Sequence, residues 1–429
     1  MKKLMIFLLC FLLTGCAAPQ AGGSESSGSS GSAPSGSVSS PQEGDASSQT
    51  PAPDASQEGN PSASEDPAGS SAPSGSSSGS SGTTQDPLPQ NKEQIIQELV
   101  SAMSVEEKVG QMFMARCPEE NPEEMASEYC FGGYILFARD FEGKNSQEAA
   151  EMIASYQEAA PYPMLIGVDE EGGTVNRVSR FSQYRDAPFA SPQELYAQGG
   201  LDLVRQDALE KSQLLKSLGI NLNFAPVCDV TEDPEAFMYD RALGLGPEET
   251  ADYVRTVVLA MKESGMGSVL KHFPGYGDNG DSHTSVIYDA RPLETFRQAD
   301  FLPFQAGIQA GADVVLTAHN IVSSMDSQYP ASLSRQVHQI LREELGFDGV
   351  IITDDLSMDG IRQFTGDEEA AVLAVKAGND LLCCTDFQIQ VPAVLQAVES
   401  GEIDETRIDE SVLRILRLKA SLGLISPYG

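Results

Sequence analysis

The sequence predicts an α/β protein whose folded part is a barrel of eight parallel strands. Eight apolar runs of strand length lie between residues 109 and 384, and stretches with helical periodicity separate them. Strands that alternate with helices pair in parallel, because a parallel neighbour is reached only through a crossover. The roughly 340 residues from 91 to 429 suit one TIM-type (β/α)8 barrel.

The chain opens with an export signal. Met1-Lys2-Lys3 is basic, and the apolar run at residues 4–13 is too short to span a bilayer. The run closes at Leu13-Thr14-Gly15-Cys16, which resembles a bacterial lipobox. The resemblance implies that residues 1–16 are a lipoprotein signal peptide and that Cys16 becomes a lipidated N-terminus, which would hold the exported protein on the membrane. The alternative is a cysteine that follows a signal peptide by coincidence.

Residues 17–90 are almost entirely Ser, Gly, Pro, Ala and polar residues, with no aromatic residue, Leu or Ile between Ala17 and Asp86. Such a segment cannot bury enough apolar surface to offset its conformational entropy. We therefore predict a disordered linker, with a root-mean-square span of roughly 50 Å, between the lipid and a domain at residues 91–429.

Within that domain the pattern predicts strands at residues 109–114, 133–137, 164–168, 221–227, 267–270, 313–316, 350–352 and 380–384. It predicts helices at residues 146–159, 192–217, 247–264, 293–310, 335–345 and 368–377.

Polar residues follow almost every predicted strand. A single acid in this position is often only a helix cap. In a barrel, however, these strand ends share one face, which is where the sites of this fold are built. The residues concerned are Arg116, Arg139, Asp140, Asp169, Glu170, Glu171, Asp229, Lys271, His272, His319, Asp354, Asp355 and Asp386.

The stretch from Lys271 to His283 reads Lys-His-Phe-Pro-Gly-Tyr-Gly-Asp-Asn-Gly-Asp-Ser-His. The apolar run before it predicts that a strand ends where Lys271 begins, and the glycines predict a mobile loop. Asp281 lies two residues before His283, a spacing that lets the carboxylate orient the imidazole as an acid/base pair. The alternative is a polar loop with a solvated histidine.

This stretch resembles the signature of glycoside hydrolase family 3, in the branch of β-N-acetylhexosaminidases that carry their acid/base on this loop. In that branch the position of Tyr276 is commonly His, and many members have one more residue between Asp278 and Asp281. The resemblance implies that His283 is the acid/base and that Asp281 is its partner. Only about 75 residues follow Asp354 and the barrel needs them, so we expect no acid/base from a second domain.

Two further motifs carry the same resemblance. Thr353-Asp354-Asp355-Leu356-Ser357-Met358 matches the family's motif around its nucleophile, which implies that role for Asp354, whereas the alternative is a cap or an ion-pair partner. Asp169-Glu170-Glu171-Gly172-Gly173-Thr174-Val175-Asn176-Arg177 resembles the family's Asp-Gln-Glu-Gly-Gly-x-Val-x-Arg and departs from it at Glu170. A third match is Asn223-Phe224-Ala225-Pro226-Val227 with the downstream Arg241.

By this resemblance the terminal sugar is bound by Asp169, Arg177, Arg241, Lys271 and His272. Arg177 and Arg241 could instead only hold loops by ion pairing. The implied reaction is hydrolysis of terminal β-linked N-acetylglucosamine from peptidoglycan-derived or related oligosaccharides, through a glycosyl-enzyme and with retention of configuration. A phosphorylase of the same glycosides and a catalytically silent sugar-binding lipoprotein are the alternatives.

The composition limits the partners. With 63 acidic and 27 basic residues the net charge is −36, which disfavours nucleic acid and anionic membrane surfaces, so we expect membrane contact through the lipid alone. The four histidines show no H-x-x-x-H spacing and the cysteines no C-x-x-C spacing, so no metal or cofactor is expected. Five cysteines of the domain are expected to be mostly buried, with one pair able to form a disulfide. We expect a monomer that faces the cell wall or periplasm.

Overall fold

The computed structural model describes residues 90–282, 285–384 and 386–425. The predicted signal peptide, Cys16, the linker up to residue 89 and His283 lie outside the described residues. Within the described part of the chain, no helix has both the length and the apolar character needed to cross a bilayer.

Eight parallel strands form a nearly closed barrel, as predicted. The hydrogen-bonded order is β10-β1-β2-β3-β4-β5-β7-β9, and an isolated parallel bridge between Ile352 and Leu381 links the two end strands. Two short strands, β6 and β8, pair with each other outside the barrel. The strands are β1 (Phe113–Arg116), β2 (Gly133–Leu136), β3 (Leu165–Val168), β4 (Leu222–Asn223), β5 (Gly267–Phe273), β6 (Tyr288–Asp289), β7 (Val314–Thr317), β8 (Ile321–Val322), β9 (Val350–Thr353) and β10 (Leu382–Cys384).

Helices surround the barrel and cover the apolar side chains of the strands, which are almost completely buried. They are α1 (Gln90–Ala102), α2 (Val105–Gln111), α3 (Pro122–Tyr129), α4 (Ala138–Phe141), α5 (Ser146–Ala159), α6 (Pro192–Ser217), α7 (Pro247–Glu263), α8 (Leu293–Gln298), α9 (Phe301–Ala310), α10 (Arg335–Gln339), α11 (Asp359–Arg362), α12 (Asp367–Ala377), α13 (Phe387–Glu399) and α14 (Glu405–Ser421). A 3-10 turn at Ala331–Leu333 precedes α10, and a π-helical turn at Ile340–Glu344 continues it.

Three predicted strand boundaries differ from the structure by three residues or more. The strand predicted at residues 221–227 ends at Asn223. Residues 109–111 belong to α2, because a capping box between Ser104 and Glu107 starts a helix that continues through this apolar stretch. The strand predicted to end at residue 270 continues to Phe273, because the backbone of Lys271 still pairs with its neighbour: its carbonyl accepts from the Cys228 amide at 2.6 Å.

Helix α14 lies across the end of the barrel where the strands begin. Its Arg407 donates to the carbonyl of Asn379, just ahead of β10, at 2.6 Å. A Cβ on Gly267, at the start of β5, would lie 3.2 Å from Leu422, the residue that follows α14. The start of α1 packs on this helix, with an ion pair of 2.5 Å between Glu93 and Arg417.

This arrangement buries Lys419 of α14 completely, with its Nζ donating to Gln111 Oε1 at 2.6 Å. Burial lowers the pKa of Lys419 to about 7, from an ordinary value of 10.5. Between these two pH values the unfolded chain binds the proton more readily than the native protein, so stability rises with pH in this window.

We therefore expect the free energy of unfolding to rise by about 2 kcal/mol more between pH 7 and pH 9 in the wild type than in Lys419→Met. Urea unfolding at the two pH values measures it. The exposed Lys376, replaced by Met, is the control and should keep the wild-type pH dependence. A Lys419→Met variant with the same pH dependence as this control would contradict the prediction.

Candidate active site

A cavity of about 380 Å³ opens where the barrel strands end. It brings together six residues that the sequence predicts for the site, namely Asp169, Arg177, Arg241, Lys271, His272 and Asp354. The remaining lining residues are Arg116, Ile135, Phe137, Glu171, Val175, Phe224, Leu316, Asp355, Met358 and Cys383.

Lys271 links two carboxylates at the floor of the cavity. Its Nζ lies 2.7 Å from Asp169 Oδ1 and 2.6 Å from Glu171 Oε1. The pairing of β5 shifts register between Leu270 and Phe273, and both Lys271 and His272 line the cavity. The ammonium group is thus held by two acids that come from the segment after β3.

Glu171 also holds Arg241 through two hydrogen bonds, at 3.0 Å from Nε and 2.7 Å from Nη2. Burial raises the pKa of the Glu171 carboxyl, but the charges and hydrogen bonds of Arg241 and Lys271 outweigh it and hold this pKa well below its usual range. Burial likewise disfavours the charge of Arg241, yet Glu171 raises its pKa. The acid therefore stays ionised and the base stays protonated in the folded protein.

Asp229, behind the cavity wall, sets the tautomer of His272. Its Oδ2 lies 2.8 Å from His272 Nδ1, so that nitrogen carries the proton. The other ring nitrogen, Nε2, lies 3.3 Å from Arg241 Nη2 and accepts from it. His272 is thereby held in one orientation between a carboxylate and a guanidinium.

Glu170 holds the segment that carries Arg177. It is completely buried, and its carboxylate accepts from the backbone amides of Arg177 and Val178, both at 2.8 Å, and of Ser179 at 3.1 Å. The Ser179 hydroxyl donates to it as well. Arg177 then reaches Asp169, with Nη2 3.7 Å from Oδ2. The departure from Gln at this position therefore places a carboxylate against four donors.

Asp354 and Asp355 follow β9 and both line the cavity. The Asp354 amide donates to the carbonyl of Thr317 in β7, and its Oδ1 accepts from the Asp355 amide at 2.9 Å. Asp355 is held from both ends, because its Oδ1 accepts from the Ser357 amide at 2.8 Å and its carbonyl accepts from His319 Nε2 at 2.9 Å. Burial raises the pKa of Asp355.

The loop after β5 carries the other predicted catalytic residues. Asp281 is partly buried and is not among the residues that line the cavity. His283 lies outside the described residues. Arg291 supports the base of this loop: its Nη2 donates to the carbonyl of Gly275 at 3.1 Å while the guanidinium pairs with Asp289 and Asp300.

The match to a family model supports what this geometry indicates. Residues 104–418 match the model of the glycosyl hydrolase family 3 N terminal domain. The chain belongs to glycosyl hydrolase family 3. It is therefore a glycoside hydrolase.

Curated and solved relatives agree with the family. The chain is 40% identical over 232 residues to a β-hexosaminidase of Xanthomonas campestris pv. campestris strain B100. The matched stretch covers 53% of this chain and 68% of that protein. It resembles the structure of a family 3 β-N-acetylglucosaminidase from Paenibacillus sp. str. FPU-7, with 34% identity and a TM-score of 0.70 over 75% of this chain and 63% of that one. A β-N-acetylhexosaminidase from Beutenbergia cavernae DSM 12333 is 28% identical, with a TM-score of 0.66 over 74% of this chain and 99% of that one.

Other strand-end residues of this family 3 barrel have contacts away from the cavity. Arg139 pairs with Glu119, and Asp140 accepts from the Phe137 amide at 2.7 Å at the start of α4. Asp386 pairs with Arg362. These residues hold loops at the rim of the barrel.

The sequence reasoning missed three features of the site. Glu171 lies in the motif from Asp169 to Arg177, but its two cationic partners, Arg241 and Lys271, are distant in sequence. Asp229 was only one strand-end acid among several. The guanidinium of Arg116 lies 4.2 Å from the centre of the Phe137 ring, and its Nε has no hydrogen-bond partner among the described residues. The only sequence signal for Arg116 was its place as a polar residue at the end of the first predicted strand.

The described residues contain no cluster of three or more side chains able to hold a metal ion. Cys117 and Cys228 are buried, Cys130 is partly buried, and these three are free thiols. Cys383 is buried as well. The side chain of Cys384 is not described.

We expect Glu171→Gln to lower the free energy of unfolding by about 3–5 kcal/mol, because it leaves two buried cations without their shared partner. The amide keeps the size of the side chain, so the loss reports charge. Glu263→Gln is the control, since Glu263 forms an exposed pair with Arg205 and such pairs contribute about 0–1 kcal/mol. Urea unfolding measures both variants. Equal losses of unfolding free energy in the two would contradict the prediction that the charge of Glu171 stabilises the fold.

Proposed function

We propose that this family 3 hydrolase removes terminal β-linked N-acetylglucosamine from oligosaccharides, with retention of configuration. The observation that carries the proposal is the cavity itself, where Asp354 shares a compact space with the Asp169–Lys271–Glu171–Arg241 cluster. The names of the relatives support the choice of sugar.

In this proposal Asp354 is the nucleophile. Its carboxylate attacks the anomeric carbon and forms a glycosyl-enzyme as the bond to the leaving oxygen breaks. His283, oriented by Asp281, gives its proton to the leaving oxygen and then takes a proton from the water that attacks the intermediate. The water oxygen replaces the Asp354 oxygen at the anomeric carbon, which restores the carboxylate and releases the sugar.

The sugar is bound by the charged groups that share the cavity with Asp354. A carboxylate such as Asp169 accepts hydrogen bonds from two adjacent hydroxyls, and Lys271 and Arg177 beside it are donors. Arg241 and His272 extend the donor surface. Because Glu171, Asp229 and Glu170 hold these groups in place, little ordering of the site is required when sugar binds.

Product analysis tests the proposal. The purified protein is incubated with 4-nitrophenyl glycosides of β-GlcNAc, β-glucose and β-xylose and with a purified muropeptide, in phosphate and in non-phosphate buffer. Release of GlcNAc in both buffers is the expected result. Sugar phosphate formed only in phosphate would instead identify a phosphorylase, and sugar binding without turnover would indicate a silent binding protein.

We further propose that the substrate comes from the cell wall and that Cys16 holds the protein on the outer side of a membrane by its lipid. The lipobox resemblance and the composition of residues 17–89 support this location. In this proposal the protein is a monomer. Its contact with the membrane is made through the lipid alone.

Cys16→Ser is expected to release the protein into the medium or periplasm with its activity unchanged, because the barrel does not include this residue. Immunoblots and activity assays of detergent-free soluble and membrane fractions measure the release. Cys10→Ser makes the same chemical change within the apolar run, so it is the matched control and should stay on the membrane. Retention of Cys16→Ser on membranes would contradict the lipid anchor.

A further inference from the structure

Two side chains of the loop after β5 contact each other. The hydroxyls of Tyr276 and Ser282 are hydrogen-bonded, and both residues are buried, with 1% and 0% of their surface exposed. Ser282 is the residue between Asp281 and His283. The hydrogen bond therefore fixes the middle residue of the proposed acid/base motif Asp281-Ser282-His283.

Tyr276 is also fixed on the side of the sugar-binding cluster. Its amide donates to Asp229 Oδ1 at 2.8 Å, and its ring packs edge-on against His272 with ring centres 5.4 Å apart. Asp229 is the same carboxylate that orients His272. Burial raises the pKa of Tyr276, and the charge of Asp354 adds to the increase, so the phenol keeps its proton and can donate to Ser282.

The other side of the loop contacts the segment that follows the proposed nucleophile. Gly360 lies in α11, which begins five residues after Asp354. A Cβ at Gly360 would lie 2.6 Å from the carbonyl oxygen of Ser282 and 3.1 Å from that of Ser285. Ser282 and Ser285 flank residues 283 and 284, which are outside the described residues. Both flanks of that pair thus lie against the helix after β9.

We propose that Tyr276 is a positioning residue that holds Asp281 and Ser282, the two residues before His283, against the helix that follows Asp354 before sugar binds. This role rests on the proposed hydrolase function. A general acid contributes only when it lies within hydrogen-bonding reach of the leaving oxygen, so a fixed segment favours the first step.

The hydrogen bond can be removed from either end, by Tyr276→Phe or by Ser282→Ala. We measure kcat/KM on a β-linked GlcNAc disaccharide, whose leaving group needs an acid, and on 4-nitrophenyl β-GlcNAc, whose leaving group hardly does. The kcat/KM of each variant should fall about tenfold on the disaccharide and change little on the nitrophenyl glycoside. This tenfold is a part of the roughly 10²- to 10⁴-fold that acid–base catalysis contributes. The double variant should lose no more than either single one, because all three lack the same bond.

Tyr329→Phe is the control, because Tyr329 is a more exposed tyrosine outside the cavity and should keep both rates. Wild-type rates in Tyr276→Phe and Ser282→Ala would overturn the role. Equal losses on both substrates, with a lower melting temperature, would also overturn it and make Tyr276 a core residue only. A wild-type protein that cleaves neither substrate would refute the proposed function itself, together with this role.

Discussion

Asp354→Ala is expected to lower kcat on 4-nitrophenyl β-GlcNAc by roughly 10⁴- to 10⁶-fold, the range typical of losing a catalytic nucleophile. The reason is that the variant lacks the oxygen that forms the glycosyl-enzyme, while the sugar-binding side chains remain. The Asp354 side chain is not part of the Asp169–Lys271–Glu171–Arg241 cluster, so binding of GlcNAc, measured by calorimetry, should change little.

A mechanism-based 2-fluoro sugar distinguishes the two adjacent acids after β9. Peptide mass spectrometry of the wild-type protein should find the label on Asp354. Asp355→Asn is the matched control, and this variant should still be labelled on Asp354. The reason is that Asp355 Oδ1 already accepts a hydrogen bond from the Ser357 amide, which indicates a structural carboxylate. A label on Asp355 would show that the nucleophile had been assigned to the wrong carboxylate.

His283→Ala is expected to produce the second large effect, a loss of about 10²- to 10⁴-fold in kcat/KM on GlcNAc disaccharides. The loss in kcat/KM on 4-nitrophenyl β-GlcNAc should be much smaller, because nitrophenolate departs without protonation. Its kcat should nevertheless fall, since no base remains to activate water in the second step. Steady-state kinetics on both substrates measure these changes.

Azide provides an independent check, because it attacks the glycosyl-enzyme without a general base. It should partly restore kcat of His283→Ala on the nitrophenyl glycoside and yield a glycosyl azide. Asp354→Ala is the control, because it forms no glycosyl-enzyme. Azide that attacks its substrate directly inverts the configuration once and gives the α-glycosyl azide, whereas azide that attacks the glycosyl-enzyme of His283→Ala gives the β-glycosyl azide. Equal losses on both substrates, with no azide rescue, would place the acid/base elsewhere and leave His283 a structural residue.

The sequence was sufficient to predict the barrel and most of the cavity, because both depend on local patterns. Apolar runs alternate with helical stretches, and the polar residue after each run lies at the same end of the barrel. Asp169, Lys271 and Asp354 could be predicted in this way, and the structure places all three at one cavity. Their catalytic or binding roles stay predictions until they are tested.

The supporting contacts could not be predicted, because they join residues that are far apart in the chain. Glu171 meets Arg241 across 70 residues. The sequence showed Glu170 as a strand-end acid and a departure from Gln, but not its four donors, which come together only when the segment after it folds back. The end of α2 was misjudged because Val109 lies close to the apolar run that begins at Met112, so the two were read as one strand, whereas the capping box at Ser104 starts a helix that reaches Gln111.

The position of α1 on α14 has a consequence for how large substrates approach the protein. The described chain begins at the end of the barrel where the strands start, whereas the cavity opens at the opposite end. The chain ahead of α1 therefore joins the barrel at the face remote from the entrance. Bulky glycan chains could then approach the entrance without meeting α1 or α14, the two helices at which the chain enters the barrel.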